Sequence, residues 1–137
     1  MTMDPAGLKS VAVTAEDLLA AVEANAGGDT RTVLRVTPPY SGRMRARLHV
    51  VQEHVDDDTI HIPPVAFLDE SAPPYPTADA TADELREDGD ATYSIERHRE
   101  YHERRLGEWR DRLLDHVAET VDVGGADHEV TVSLLGP

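Results

Sequence analysis

Apolar and polar positions change their spacing several times along this chain, and each change marks an element. Thr14 is a good helix N-cap, with Asp17 at the third helical position and Val13 and Leu18 placed as a hydrophobic staple. Leu18, Leu19 and Val22 then share one helical stripe, and Asn25, Gly27 and Gly28 end it. The period next drops to two. Thr32, Leu34 and Val36 alternate with Arg31, Val33, Arg35 and Thr37, and the cluster Pro38 to Gly42 turns the chain. In the following strand Met44, Ala46, Leu48 and Val50 share one face, and Arg43, Arg45, Arg47 and His49 share the other. Pairing Thr37 with Arg43, and Arg35 with Arg45, puts both apolar sets on one side and predicts a hairpin. Asp56 to Asp58 form another turn, before a short strand over Thr59 to Ile62 that stops at Pro63 and Pro64.

Residues 63–91 read as a long proline-rich connection carrying a short helix, with Thr81 and Glu84 as its capping box and Gly89 as its end. A helical period returns from about Thr92 to Val121, where Ile95, Leu106, Trp109, Leu113 and Val117 form one stripe with His98, His102 and His116 in or beside it. Gly124 and Gly125 break the chain ahead of a last strand over Val130 to Leu135. The predicted order is α-β-β-β-α-α-β. It implies one α+β domain over residues 1–137: an antiparallel sheet of about four strands, helices on one face and the arginines on the other.

Composition narrows the class. With 137 residues the chain suits a single domain, and with no cysteine it has no disulfide or thiolate metal site. Met1 to Ser10 lack an apolar run, so no signal peptide is expected, and no stretch is long and apolar enough for a membrane helix. The expected location is the cytoplasm. Asp and Glu number 27 against 13 Lys and Arg, a net charge of −14, and Lys9 is the one lysine. Such self-repulsion is unfavourable in dilute buffer, but molar salt screens it over about 3 Å. In this respect the composition resembles that of haloarchaeal proteins, a resemblance that implies a salty habitat and no particular activity.

Against that acidic background residues 30–52 hold five arginines and no acid, leaving −19 on the rest. Arg31, Arg35, Arg43, Arg45, Arg47 and His49 form the candidate interaction or anion-binding face. Nucleic acid is a poor fit. Five phosphate contacts give a salt slope near −4.5, which from about 0.15 M to about 3 M salt loses on the order of 10⁵ to 10⁶ in affinity. No aromatics interleave the arginines to restore it by stacking. Desolvated arginine–carboxylate pairs resist salt better, so the expected partner is an acidic protein or a second copy of this chain.

His98 and His102, four apart on a helix, face the same way and are the alternative site, for zinc or nickel. A zincin motif would need Glu directly after the first histidine, and Arg99 stands there. A third ligand would have to come from His49, His61, His116 or a carboxylate. Core-edge histidines held by hydrogen bonds are the simpler expectation, with no cofactor. Ser41, Ser71, Ser94 and Ser133 lack a nucleophile-elbow setting, and the glycine pairs are too short for phosphate loops. Pro73-Pro74-Tyr75-Pro76 reads as a polyproline docking segment or, more simply, a stiff loop. These readings point to a non-enzymatic protein that works by association. They exclude neither a histidine-based hydrolase nor a nucleic-acid binder.

Overall fold

The computed structural model of the chain describes residues 4–27, 31–51, 59–87, 94–123 and 128–135. The α+β expectation holds: three helices and seven strands lie among these residues. The chain divides into two compact units, Met1–Glu70 with Val117–Pro137, and Ser71–His116. The expected turn at Asp56 to Asp58 and the breaks at Gly28, Gly89, Gly124 and Gly125 lie outside the described residues, as does Thr92.

In the first unit a short turn over Pro5–Gly7 leads into a strand that alternation does not predict: β1, Leu8–Thr14. Its residues Val11, Ala12 and Val13 are all buried, so both faces of the strand are covered and there is no alternation to read. β1 leads directly into α1, Ala15–Ala26, at the expected cap, where the Thr14 hydroxyl accepts from the Asp17 N–H at 3.1 Å. At the far end Asn25 ties the helix to the next strand. Its amide donates to the Thr32 carbonyl at 2.9 Å, and its oxygen accepts from the Thr32 N–H at 2.6 Å.

The remaining strands of this unit are β2 (Thr32–Val36), β3 (Gly42–Arg45), β4 (Arg47–Val50), β5 (Ile60–Ile62), β6 (Thr120–Val123) and β7 (His128–Leu135). They form two sheets rather than one antiparallel sheet. The first, in order β3-β1-β7-β6, is mixed, because β1 runs parallel to both β3 and β7. The second, β4-β2-β5, is antiparallel. The single arginine strand expected from 43 to 50 therefore serves both. It is interrupted at Ala46, whose N–H donates to the Ala12 carbonyl at 2.8 Å. Pairing with β2 is also two residues away from the expected register: Arg35 lies opposite Arg47, Leu34 opposite Leu48 and Val33 opposite His49. An even shift keeps Val33, Arg35, Arg47 and His49 on one side of this sheet, which is why the binary pattern could not detect it, but Leu48 and Val50 on the predicted apolar side are exposed and Val33 on the arginine side is buried.

Residues from both sheets and α1 fill one core, including Leu8, Val11, Leu18, Leu34, Val36, Tyr40, Ile62, Phe67 and Val130. A buried leucine of this kind contributes about 1.5–3 kcal/mol. Where the chain leaves this unit and returns, Leu68 bridges Val117, and the Ala118 N–H donates to the Phe67 carbonyl at 2.7 Å.

The second unit is a helical pair, α2 (Ala78–Glu87) and α3 (Ile95–Leu113). α2 begins earlier than its predicted capping box: the Thr77 hydroxyl accepts from the Ala80 N–H at 3.2 Å, and Thr81 lies inside the helix. α3 starts at the Ser94 cap and ends far short of Val121, because a short turn over Leu114–His116 follows it and Thr120–Val123 is strand β6. Ile95, expected on the buried stripe, is 74% exposed, whereas Trp109 and Leu113 are buried. The proline-rich segment is anchored within the unit. Trp109 Nε1 donates to the Pro73 carbonyl at 3.1 Å, and the Tyr75 ring meets Trp109 edge-on at 5.0 Å. This anchoring favours the stiff-loop reading over a free docking motif.

Candidate arginine cleft and the helix histidines

Two places carry candidate chemistry, one in each unit. The first lies where β2 and the arginine strand part. Antiparallel pairing persists to Arg35 opposite Arg47. Two residues further the same register would set Thr37 against Arg45, but β2 ends at Val36 and β3 turns to pair with β1. The divergence opens a cleft of about 380 Å³ lined by Arg35, Thr37, Arg43, Met44, Arg45 and Arg47. That volume lies in the range of small ligand sites.

Four of the six predicted face residues therefore meet at one place, brought there by two strands of one sheet and one of the other. Arg31 and His49 do not line the cleft. Arg31 is exposed at the start of β2, where its carbonyl accepts from the Val51 N–H at 2.9 Å. His49 turns to His61 across β2, with ring centroids 5.4 Å apart, and His61 Nε2 also meets the Thr59 hydroxyl at 3.1 Å.

The electrostatics of the cleft are unusual for so acidic a chain. Arg45 reaches one carboxylate, Asp17 in the first turn of α1, at 3.6 Å. Arg35, Arg43 and Arg47 have no carboxylate partner among the described residues. Arg35 and Arg47 are moreover directly opposite on adjacent strands, an arrangement that costs roughly 0.2–1 kcal/mol when nothing neutralises it. Among the described residues the chain's own acids thus leave these three arginines without an ion pair. The cleft holds preformed, forked donors suited to a carboxylate or phosphate.

The second place is in the helical unit. His98 Nε2 and His102 Nδ1 turn to the same buried atom, the Thr81 hydroxyl on α2, at 2.9 and 2.8 Å. That oxygen also lies 3.2 Å from the Thr77 carbonyl and 3.1 Å from the Ala78 carbonyl. A hydroxyl has one proton, so it can donate to only one of these four neighbours. At least one ring nitrogen must therefore carry a proton and donate to Thr81. The nitrogens that would chelate on this side are thus committed to hydrogen bonds. Among the described residues no group of three or more His, Asp or Glu side chains is placed to hold a metal ion. Thr81 was invisible to sequence reasoning as a partner, because the link joins positions 17 and 21 residues apart.

Beside it, Glu84 of α2 accepts from the Tyr101 hydroxyl at 2.6 Å and from Arg105 Nε at 2.9 Å, both on α3. The Arg105 bond first, then the Tyr101 bond, holds the Glu84 carboxyl below the usual carboxylate range. The same Glu84 bond pushes the Tyr101 hydroxyl up.

Two measurements follow from this unit. Thr81→Val removes the shared hydroxyl and leaves both inward ring nitrogens without that partner. The expected loss is about 1–3 kcal/mol in urea unfolding, with Thr81→Ser close to the parent. For Glu84 the folded carboxyl is the more acidic one, so its contribution is present above the unfolded carboxylate range. It fades as pH falls through the lower folded value. Glu84→Gln should therefore be less stable than the parent at neutral pH, and the gap should close below about pH 4. A gap that stays constant down to pH 2 would remove the link from the stability of the helical pair.

Among the described residues, no helix is long and apolar enough to cross a membrane. No curated protein and no solved structure is significantly similar to the chain. One family model does match, over residues 1–136, and on that match the chain belongs to the family described as a domain of unknown function, DUF8009.

Proposed function

We propose that this protein is a non-enzymatic binding protein that takes an acidic, carboxylate-bearing partner at the cleft between β2 and the arginine strand. The observation that carries the reading is the rung of Arg35 opposite Arg47, which has no acid to neutralise it among the described residues of a chain of net charge −14. An arrangement that is unfavourable in the free protein becomes favourable when an anion bridges it. An acidic partner suits the cleft better than a second copy of the chain. A twofold contact would set the same four arginines against themselves.

The setting we propose is a salt-rich cytoplasm, on the strength of the acid excess. The fold should then need salt. Trp109 fluorescence and far-UV circular dichroism should show loss of structure as KCl falls from about 2 M to about 0.1 M, where screening lengths grow several-fold. Equal melting temperatures at both concentrations would end that part of the proposal.

The binding part is tested with poly-glutamate as the probe. Calorimetry at about 2 M KCl should give binding to the parent and at least a tenfold loss for Arg35→Gln/Arg47→Gln, since each charge-assisted bond is worth about 1.5–3 kcal/mol. The melting temperature of the variant should not fall, because the two substitutions relieve repulsion. Equal affinity in parent and variant would move the site elsewhere. Binding of a single-stranded oligonucleotide in place of poly-glutamate would favour the nucleic-acid reading.

A further inference from the structure

β3 is the end strand of its sheet, paired on one side only, with β1. The Ala46 N–H bonds to Ala12, and the register sets Met44 against Val11 and Arg45 against Ala12. In a parallel ladder a strand's backbone groups point to one neighbour at every second residue. Met44 and Ala46 thus turn their N–H and C=O toward β1, while those of Arg43 and Arg45 point away from it. Neither of these two residues has another backbone partner among the described residues.

The cleft borders this open edge. Consecutive side chains of a strand go to opposite faces, so a cavity lying on one face meets every second residue. This one is lined by Arg43, Met44 and Arg45 in succession, as a cavity beside the strand's edge would be. Across it stands Thr37, where the missing rung with β2 would have been. The cleft therefore has the makings of a vacant strand position, with arginines on its border and unpaired donors and acceptors along its side.

We infer that the occupant is an extended acidic polypeptide segment that pairs with the backbone of Arg43 and Arg45 as an added strand, its carboxylates received by Arg35, Arg43 and Arg47. Main-chain hydrogen bonds supply affinity in this mode, and alternate side chains supply selectivity. Charge complementarity commits the site to acidic side chains: among the described residues three cleft arginines lack a carboxylate, and the fourth is held by Asp17 at 3.6 Å. The inference rests on the acidic-partner reading and adds how the partner is bound.

The experiment separates the two. The probes are an acetylated, amidated peptide of sequence Glu-Val-Glu-Val-Glu and the same peptide N-methylated at its two valines, which keeps the charge and removes two backbone donors; a peptide N-methylated at the second and third glutamates covers the other pairing phase. Each is titrated into the full chain by calorimetry at about 2 M KCl. The expected result is binding of the unmodified peptide, with at least about a tenfold loss for one of the two N-methylated forms and not the other. All binding should be lost in Arg35→Gln/Arg47→Gln. Equal affinity of the three peptides, all dependent on Arg35 and Arg47, would overturn strand addition and leave the acidic-partner reading in place. Failure of the peptides and poly-glutamate alike to bind would overturn both. Binding of a uridine oligonucleotide where the peptides fail would do the same and assign the cleft to nucleic acid.

Discussion

Ala46 occupies the position where one stretch of chain changes sheets. Its N–H is bonded to β1 and the next residue is paired with β2, so the backbone on either side is committed in different directions. The side chain is fully buried, and alanine is small enough for the sheets to meet there over a shared core. The rest of the arginine region depends on this constraint. It ends the β2 ladder at Arg35, turns the β3 edge outward beside Thr37, and gathers side chains from three strands around one opening. The cleft is thus a consequence of how two sheets are joined, and not of a loop that happens to carry basic residues.

Charge is arranged around that opening with little compensation. Asp17 serves two ends: it stands in the first turn of α1, where a carboxylate suits the exposed N–H groups, and among the described residues it is the one acid that reaches a cleft arginine. Among the described residues three of the four cleft arginines have no acid beside them, and all four border one opening. Preorganisation of this kind lowers the cost of ordering when an anion arrives.

How much was legible in the sequence depended on whether each signal was local. The α1 cap was, since Thr14 and Asp17 are three residues apart and act on each other. The arginine side of β2 and β4 was legible because its alternation survives any even shift of register. The register itself was not, since it is set by the strand break at Ala46, which no local pattern marks. β1 was lost because burial on both faces erases alternation. β6 was lost because Val117 and Val121 continue the helical spacing of α3 by coincidence, although they belong to the other unit. At the candidate sites the sequence found the four arginines and the two helix histidines. It could not find Thr81, whose role comes from α2 lying against α3, nor separate His49 and Arg31 from the cleft.

The parallel placement of β1 between β3 and β7 also bears on how the protein is made. Ser10 pairs with Thr131, and His128 Nε2 meets the Leu8 carbonyl at 2.8 Å over a separation of 120 residues. During synthesis at about 5–20 residues per second, β1 therefore waits for several seconds with one flank bare. The whole helical unit, residues 71–116, is complete before the missing neighbour emerges. Long-range parallel pairing of this kind is slow to form and leaves apolar strand exposed meanwhile. In a salt-rich setting repulsion between copies is screened to about 3 Å, so over that interval the many carboxylates would protect the unfinished sheet through the water they hold and not through their mutual repulsion.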